Sequence, residues 1–398
     1  MTENWSNAPL GSIIRLKRGF DLPAVSRVPG SFPVVGSAGI SGWHSEGPVK
    51  GPGVVIGRSG SSMGCATYVE DDYWPLNTAM YVEDFLGNHP RYVYLLLTTL
   101  DFKAFNSGSA QQSLNRNYIA DIPISLPPRR EQRAIAEVLG ALDNKIAVNE
   151  RISVTVSSLS RALLGALWAE GEVASLAGDT PAPAPGWRRI TLGELCTAGG
   201  GGIQTGPFGS QLHAADYVDR GTPSVMPQNI GDNFINDAGI ARIGDEDIRR
   251  LSKYLLSEGD IVYSRRGDVK RRALVRTLES GWLCGTGCLR VRTGGLVEPL
   301  FLSHYLGEPE IQEWILQHAI GATMPNLNTS ILGAVPVVLP PAELRDRVNG
   351  ELAALDARAM NGLRENRTLA ELRDTLLPKL ISGQIRIKDA ERAVEEVV

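Results

Sequence analysis

Five basic side chains lie within one short stretch and could bind an anionic partner. They are Arg265, Arg266, Lys270, Arg271 and Arg272. Arginine and lysine neutralise phosphates, and an arginine can also hold a guanine edge through two hydrogen bonds. A solvated, purely structural run of charge would give the same pattern. The cluster therefore indicates either a nucleic-acid contact or an ordinary charged surface.

Amide and hydroxyl side chains add to this chemistry in loops that glycine interrupts. The segment 204–211 surrounds Phe208 with such groups, although an ordinary turn explains it equally well. Gln228 and Asn229 carry amides suited to adenine edges. The full set of candidate nucleic-acid contacts is Arg58, Ser59, Ser61, Ser62, Gln111, Gln112, Arg116, Gln204, Thr205, Phe208, Ser210, Gln228, Asn229, Arg265, Arg266, Lys270, Arg271, Arg272, Thr323 and Asn326.

The sequence holds none of the common catalytic motifs. It lacks a Gly-Lys-Ser/Thr phosphate loop, HExxH, GxSxG and the Asn/Asp-Pro-Pro-Tyr motif of methyltransferases. The histidines are scattered. Cys65, Cys196, Cys284 and Cys288 form no zinc-like pair of pairs, so we interpret them as reduced thiols. We predict no catalytic residue, no metal and no cofactor in this chain.

Composition indicates a soluble protein with more than one domain. The chain has 398 residues, of which 43% are hydrophobic and 21% charged. We expect neither a membrane span nor a signal peptide, and we place the protein in the cytoplasm. The net charge of −4 argues against indiscriminate binding of nucleic acid. It leaves room for a specific binder with local basic clusters.

Two long helices are predicted to position the polar loops. Leu126-Pro127-Pro128 opens a run with apolar residues at heptad spacing, and proline suits a first helical turn. Leu339-Pro340-Pro341 repeats this start 339 − 126 = 213 residues later, and the apolar positions repeat with it. Chance leucine spacing is the alternative. The predicted helix seam consists of Ile135, Leu139, Leu142, Ile146, Leu163, Leu167, Val348, Leu352, Leu355, Leu369, Leu376 and Leu380.

Polar residues inside the repeat have predicted structural roles. Asn149 and Asn366 lie in the middle of the seam, where polar residues fix the register of paired helices. Asn115 and Asn328 occupy matching positions in the two halves, which favours a turn role over a contact role.

The repeat predicts a tandem duplication with an α+β fold. Each half would be a mixed α/β globular region followed by a long helix, and the helices would pair as an antiparallel coiled coil with pseudo-twofold symmetry. We expect the last segment to be frayed. The predicted boundaries are 1–126 for the first globular region, 127–168 for the first helix, 169–186 for a Pro/Ala-rich connector, 187–339 for the second region, 340–383 for the second helix and 384–398 for a C-terminal tail.

These features resemble the specificity subunit of type I restriction-modification systems. The matching segments are Gly-Pro-Phe-Gly-Ser at 206–210, Gly-Asp-Ile-Val-Tyr-Ser-Arg-Arg-Gly at 259–267, Gly-Ala-Thr-Met-Pro-Asn-Leu-Asn at 321–328 and Leu-Pro-Pro before each long helix. The resemblance covers nearly the whole chain. The first half departs from the pattern, because 108–115 reads Gly-Ser-Ala-Gln-Gln-Ser-Leu-Asn and no Arg-Arg pair follows its β run.

The resemblance implies a non-catalytic, sequence-specific DNA-recognition subunit. Each globular region would be a target-recognition domain that reads one half of a bipartite site in double-stranded DNA. The helices would set the spacing and dock two modification subunits, which carry S-adenosylmethionine and methylate adenine. Restriction subunits with motor and nuclease activity would join them. Two alternatives are a coiled-coil protein-interaction scaffold that binds no DNA, and an enzyme with an unrecognised motif.

Overall fold

The structure is a computed structural model that describes residues 5–108, 112–178, 184–321 and 323–396. The chain divides into two compact units. Unit 1 contains residues 1–151 and 362–398, and unit 2 contains residues 152–361. Each unit therefore combines one globular region with a part of each long helix.

The secondary structure mixes short strands with helices of very different length. In chain order the helices are α1 (Pro90–Thr99), α2 (Arg116–Ile119), α3 (Arg129–Glu170), α4 (Leu192–Ala198), α5 (Asp245–Arg250), α6 (Pro299–Tyr305), α7 (Pro309–His318), α8 (Thr329–Gly333), α9 (Ala342–Ile381) and α10 (Ile387–Glu395). The strands of unit 1 are β1 (Ser6–Pro9), β2 (Arg15–Arg18), β3 (Phe32–Gly36), β4 (Gly39–His44), β5 (Gly53–Gly57), β6 (Ala66–Val69), β7 (Trp74–Pro75), β8 (Ala79–Asp84) and β9 (Pro123–Leu126). Those of unit 2 are β10 (Arg188–Thr191), β11 (Gly202–Thr205), β12 (Tyr217–Val218), β13 (Thr222–Val225), β14 (Asp232–Asn233), β15 (Arg242–Ile243), β16 (Ile261–Ser264), β17 (Arg272–Leu274), β18 (Leu283–Cys284), β19 (Cys288–Arg292) and β20 (Pro336–Leu339).

The sheets of the two units share one plan. In unit 1 the main sheet has the order β2-β8-β5-β6, and a second sheet has the order β4-β3-β7. In unit 2 the main sheet has the order β11-β19-β16-β17-β14, beside a sheet of order β12-β15-β13-β18. The first and last strands of each globular region pair antiparallel, β1 with β9 and β10 with β20. The chain thus returns to its starting point just before each long helix begins.

In each globular region an asparagine caps the short helix that follows the last loop. The Asn115 side chain accepts a hydrogen bond from the backbone N–H of Asn117 at 3.0 Å and caps α2. Asn328 accepts from Ile331 N–H at 2.8 Å and caps α8. The predicted structural role of both residues is confirmed. The cap at Asn115 keeps the chain helical up to Ile119, before β9 begins at Pro123.

In unit 1 the parts of α3 and α9 pack against each other. The predicted seam residues Ile135, Leu139 and Leu142 are buried in one core with Leu369, Leu376 and Leu380, against which half-buried Ile146 also packs. Asp143 accepts from Arg373 at 3.1 Å, and Asn149 Nδ2 donates to Asn366 Oδ1 at 2.9 Å. The contacting residues of α9 have lower numbers as the residue numbers of α3 rise, so the two helices run antiparallel. The predicted polar contact in the middle of the seam is present.

In unit 2 the same helices pack through their other parts. Leu167, Val348 and Leu352 are buried in the core, with Leu163 half-buried against it. Arg347 donates to Glu170 at 2.7 Å, which again indicates an antiparallel pair. Leu355 differs from the other seam residues, because it is half-buried and lies outside the core clusters.

The C-terminal segment is a helix, so the expectation of a frayed tail is wrong. Helix α9 ends at Ile381, and Gly383, with φ +72°, turns the chain. Helix α10 follows, and Ile387, Ala390 and Val394 form a stripe at helical spacing that packs on the core of unit 1. Burial of that stripe stabilises a helix whose charged composition alone predicts disorder.

The connector after α3 is partly packed in unit 2. Leu176 is buried in the core, and Glu310 accepts hydrogen bonds from the backbone N–H groups of Leu176 and Ala177 at 2.9 and 3.2 Å. Its proline-rich part, 179–183, lies outside the described residues.

Helix α3 is long and apolar enough to cross a membrane, by length and composition alone. Its most apolar 18-residue stretch has a mean hydropathy of 1.3. The core helices of soluble proteins meet the same criterion. Leu164, Leu167 and Trp168 of α3 are packed in the core of unit 2, and 28% of the most apolar stretch is buried.

Candidate nucleic-acid interface

Two polar loops of unit 2 that are far apart in sequence lie side by side and are hydrogen-bonded to each other. Arg265, Arg266 and Gly267 leave the end of β16, and residues 325–327 run along them. Leu327 N–H donates to Arg265 O at 2.8 Å, and Gly267 N–H donates to Pro325 O at 3.1 Å. Gly267 has φ +75°, a conformation that favours glycine. We call residues 265–267 with 325–327 the loop joint of unit 2.

Unit 1 contains the same joint in residues 58–60 and 112–114. Leu114 N–H donates to Arg58 O at 2.8 Å, and Gly60 N–H donates to Gln112 O at 3.0 Å. Gly60 has φ +83°. The arrangement brings predicted contacts from two segments of each unit together. These are Arg58, Ser59, Ser61, Ser62 and Gln112 in unit 1, and Arg265, Arg266 and Asn326 in unit 2.

The loop 206–211 of unit 2 is held rigidly beside its loop joint. Gly206 N–H donates to Cys288 O at 2.9 Å, and Phe208 N–H donates to the Gln211 side-chain oxygen at 3.2 Å. That oxygen also accepts from the Tyr254 hydroxyl at 2.9 Å. The Phe208 ring is 54% exposed, and the Arg265 guanidinium lies 5.9 Å from its centre. An aromatic face and a cation are therefore presented together.

Basic side chains reach solvent around the loop joint of unit 2. Arg266, Lys270 and Arg271 are exposed. Arg271 pairs with Asp268 at 3.2 Å, and both side chains are about half exposed. Exposed pairs of this kind contribute little to stability and are screened by salt. An incoming phosphate can therefore replace Asp268 at little cost.

The comparisons with known proteins come from sequence and from structure. A family model described as type I restriction modification DNA specificity domain matches residues 2–157. The specificity subunit of the type I restriction enzyme MjaVIII from Methanocaldococcus jannaschii is 21% identical over 299 residues, which cover 72% of this chain and 68% of that protein. The HindI specificity subunit of Haemophilus influenzae is 32% identical over 89 residues, 22% of this chain and 19% of that protein.

The family model, the curated relatives and the solved structures all indicate a specificity subunit of a type I restriction-modification system. The crystal structure of such an S subunit from M. genitalium aligns with a TM-score of 0.62 at 18% identity, over 95% of this chain and 96% of that one. That likeness confirms the α+β fold with a long helix after each globular region. The relatives are specificity subunits, the non-catalytic components of their complexes, so the prediction that this chain is not an enzyme is confirmed.

Three of the four cysteines, Cys196, Cys284 and Cys288, are buried and are poor nucleophiles. Burial raises the pKa of Cys196 to about 11 and that of Cys284 to about 12, and it raises the pKa of Cys288 as well. Within the described ranges no group of three or more His, Cys, Asp or Glu side chains is placed to hold a metal ion.

Two predicted contacts are corrected because the fold uses their side chains. Arg272 is 5% exposed, and its guanidinium donates to Ser303 O at 2.7 Å and to Asp232 at 3.3 Å. Asn229 is 5% exposed, accepts from Met226 N–H at 3.0 Å and donates to Asn236 O at 3.0 Å. Both side chains are almost fully buried and stabilise loops of unit 2 from inside.

The remaining predicted contacts divide into engaged and exposed side chains. Gln204 accepts from Arg290 at 2.7 Å, and Arg116 donates to Leu16 O at 3.1 Å while remaining exposed. Thr205 is half-buried in β11. Gln111 lies outside the described residues. The exposed ones are Ser61, Gln112, Phe208, Ser210, Gln228, Arg266, Lys270, Arg271 and Thr323.

Sequence reasoning missed apolar side chains near the loop joints. Ile320 and Met324 are exposed on the segment 320–326 of unit 2. Ile40 and Trp43 are exposed on β4, an edge strand of unit 1. Ser37, at the turn between β3 and β4, donates to Thr78 O, as Ser59 also does. These exposed side chains could have been found from the sequence, because they are apolar residues within polar, glycine-rich segments.

Proposed function

We propose that this specificity subunit reads a bipartite site in double-stranded DNA, with one half-site bound at each loop joint. The observation that carries the proposal is the duplicated joint, because both units bring their polar candidate residues together through the same pair of backbone hydrogen bonds. Amide, hydroxyl and guanidinium groups in one place can read base edges while neighbouring cations hold phosphates. The family model matches residues 2–157, which include the joint of unit 1.

The two globular regions, 1–126 and 187–339, are the proposed target-recognition domains. The long helices α3 and α9 are the proposed spacer that sets the distance between half-sites. Their antiparallel packing and the Asn149–Asn366 contact suit a spacer of fixed register. This assignment excludes Arg272 and Asn229 from the DNA contacts and keeps the exposed residues of each joint.

Two modification subunits are the proposed partners on the helical spacer, with restriction subunits joining them. Helix α3 of unit 2 exposes Val154 and Leu159, and exposed apolar side chains of this kind suit a protein interface. S-adenosylmethionine would be held by the modification subunits, which would methylate adenine. Because the DNA substrate is the host genome, we place the assembly in the cytoplasm.

Methylome sequencing tests the proposal. A host that expresses this chain with its modification partner should gain methyladenine at one bipartite sequence, and a host without this chain should lack it. The matched variant combines Arg265→Ala and Arg266→Ala, which should reduce methylation at that sequence while the subunits still co-purify. Co-purification with no new methylated sequence would favour the protein-interaction scaffold instead.

A further inference from the structure

Unit 2 exposes large apolar side chains where its cations are concentrated. Phe208 is 54% exposed, Met324 is 64% exposed, and Ile320 is also exposed. Phe208 lies beside Arg265, and Met324 lies one residue before Pro325, whose carbonyl accepts from Gly267. The apolar groups thus flank the loop joint on two separate loops.

Hydrogen bonds tie both loops that carry these exposed side chains. Ile320 and Asn326 exchange two backbone hydrogen bonds, of 3.0 and 2.9 Å, which close the segment that carries Met324. The loop of Phe208 is anchored by Gln211 and, through it, by Tyr254. Keeping apolar area in water is unfavourable, by about 25 cal/mol per Å². The exposed faces therefore favour a role in binding over a role in folding.

The surrounding charge identifies the partner as DNA. Arg266, Lys270 and Arg271 are exposed around these apolar groups and suit a phosphate backbone. Proteins that bend DNA combine such cations with Phe, Leu, Ile, Met or Pro side chains that enter between base pairs and unstack them. An apolar protein groove would not require this concentration of positive charge.

We propose that Phe208, supported by Met324, enters the base stack of the half-site bound by unit 2 and opens one base step. The assignment rests on the proposed function, since it presupposes that unit 2 binds DNA. An opened step adds specificity without a base-edge hydrogen bond, because pyrimidine–purine steps unstack most easily. Aromatic stacking on a base makes a large contribution to affinity, so loss of the ring should weaken binding roughly tenfold or more.

Unit 1 provides a matched control in the same place. In each unit the edge strand of the main sheet, β2 or β11, leads into a loop that carries an exposed apolar residue. In unit 1 the most exposed of these residues is Val25, at 96%, in a loop that also exposes Phe20 at 37% and Val28 at 55%. The Arg58 Nε group of its loop joint donates to Asn77 O at 3.3 Å. Val25 is small and aliphatic, so Val25→Ala serves as the control for Phe208→Ala, and the proposal concerns the half-site bound by unit 2.

Fluorescence of 2-aminopurine tests the opened step in the complex of specificity and modification subunits. The probe replaces single bases, one per duplex, through the site found by methylome sequencing. The methylated adenine is left out, because an enzyme that modifies a base takes that base out of the stack by itself. The proteins are wild type, Phe208→Ala, Phe208→Leu and Val25→Ala, with affinity measured on the same duplexes.

We expect one position in the second half-site to brighten on binding, to lose that signal with Phe208→Ala and to keep most of it with Phe208→Leu and Val25→Ala. Unchanged fluorescence at every position under tight, specific binding would overturn the proposal. So would a signal that survives Phe208→Ala. A third result would also overturn the proposal. If no base step opens, and replacing a thymine by uracil lowers the DNA affinity of the wild type as much as Phe208→Ala does, Phe208 contacts a thymine methyl group instead.

The proposed function has its own readout in this experiment. A wild-type complex that binds the site no better than a scrambled duplex would overturn the proposed function itself. Preference for the site, with no opened step, would overturn the role of Phe208 alone.

Discussion

The loop joints of the two units share a backbone and differ in their side chains. Arg58-Ser59-Gly60 in unit 1 corresponds to Arg265-Arg266-Gly267 in unit 2, and each glycine has a positive φ and donates to the neighbouring loop. Beside this common geometry, unit 1 offers mainly hydroxyl groups and unit 2 mainly guanidinium groups. The conformation of each joint is held by backbone hydrogen bonds, which do not depend on the side chains. The side chains of the two joints can therefore differ while the backbone conformation stays the same.

A second difference between the units lies just behind the joint. In β16 and β17, Tyr263 faces the buried Arg272 across the sheet, whereas in β5 and β6 the corresponding pair is Ile56 and Ala66. Helices α6 and α1 both begin with a proline. The fifth residue after that proline is His304 in α6 and the buried Leu95 in α1. At these two pairs of positions unit 2 has polar side chains and unit 1 has apolar ones.

Removal of Arg272 should have the largest effect. Arg272→Ala leaves Ser303 O without this donor and opens a space in the sheet, so we expect the protein to lose about 3 kcal/mol of unfolding free energy. Urea unfolding followed by circular dichroism measures this. Arg271→Ala, at an exposed neighbour, should change stability by less than about 0.5 kcal/mol. Weaker DNA binding by Arg272→Ala at unchanged stability would return Arg272 to the interface.

His304 should make the protein sensitive to acid. Burial, followed by the nearby charge of Arg272, lowers the pKa of His304 from 6.5 to about 4, an effect that Arg276 reinforces and that Asp356 and Asp232 oppose. Between pH 6.5 and 4 the unfolded chain binds a proton that the folded chain does not, so stability falls as the pH falls. The unfolding free energy should therefore fall between pH 7 and pH 4, and we expect this fall to be roughly 2 kcal/mol smaller in His304→Leu than in the wild type. Unfolding curves at pH 7 and pH 4 test it, and an unchanged pH dependence would contradict it.

Exchange of the two joint residues should have the smallest effect and the most direct bearing on DNA. Arg266→Ser should remove one phosphate contact and flatten the salt dependence of DNA affinity by about one unit of slope. Ser59→Arg should add a contact and steepen the slope by a similar amount. Fluorescence anisotropy at several salt concentrations measures both. Equal slopes for the wild type and both variants would place residues 59 and 266 away from the phosphates.

The sequence was informative wherever the signal was local or repeated. The Leu-Pro-Pro starts, the seam residues from Ile135 to Leu142 and the caps at Asn115 and Asn328 are all present in the structure. It was less informative about the ends of elements. The long helices predicted over 127–168 and 340–383 run from Arg129 to Glu170 and from Ala342 to Ile381.

The basic cluster illustrates what a sequence cannot separate. Arg271 and Arg272 are adjacent and chemically identical, yet one is exposed and the other is buried with its guanidinium bonded inside the fold. Neighbouring residues of a strand point to opposite faces, and which face is covered depends on elements far along the chain. Here Ser303 and Asp232 cover Arg272, and they lie 31 and 40 residues away.

The sequence by itself determined the duplication, the two long antiparallel helices and the family resemblance, because heptad spacing and repeated motifs are properties of order along the chain. Only the tertiary structure decided which polar residues meet. Arg58 reaches residues 112–114, and Arg265 reaches residues 325–327, through pairing between loops more than fifty residues apart. It also decided that the charged C-terminal segment folds as α10, because its narrow apolar stripe is stable as a helix when the core of unit 1 covers it.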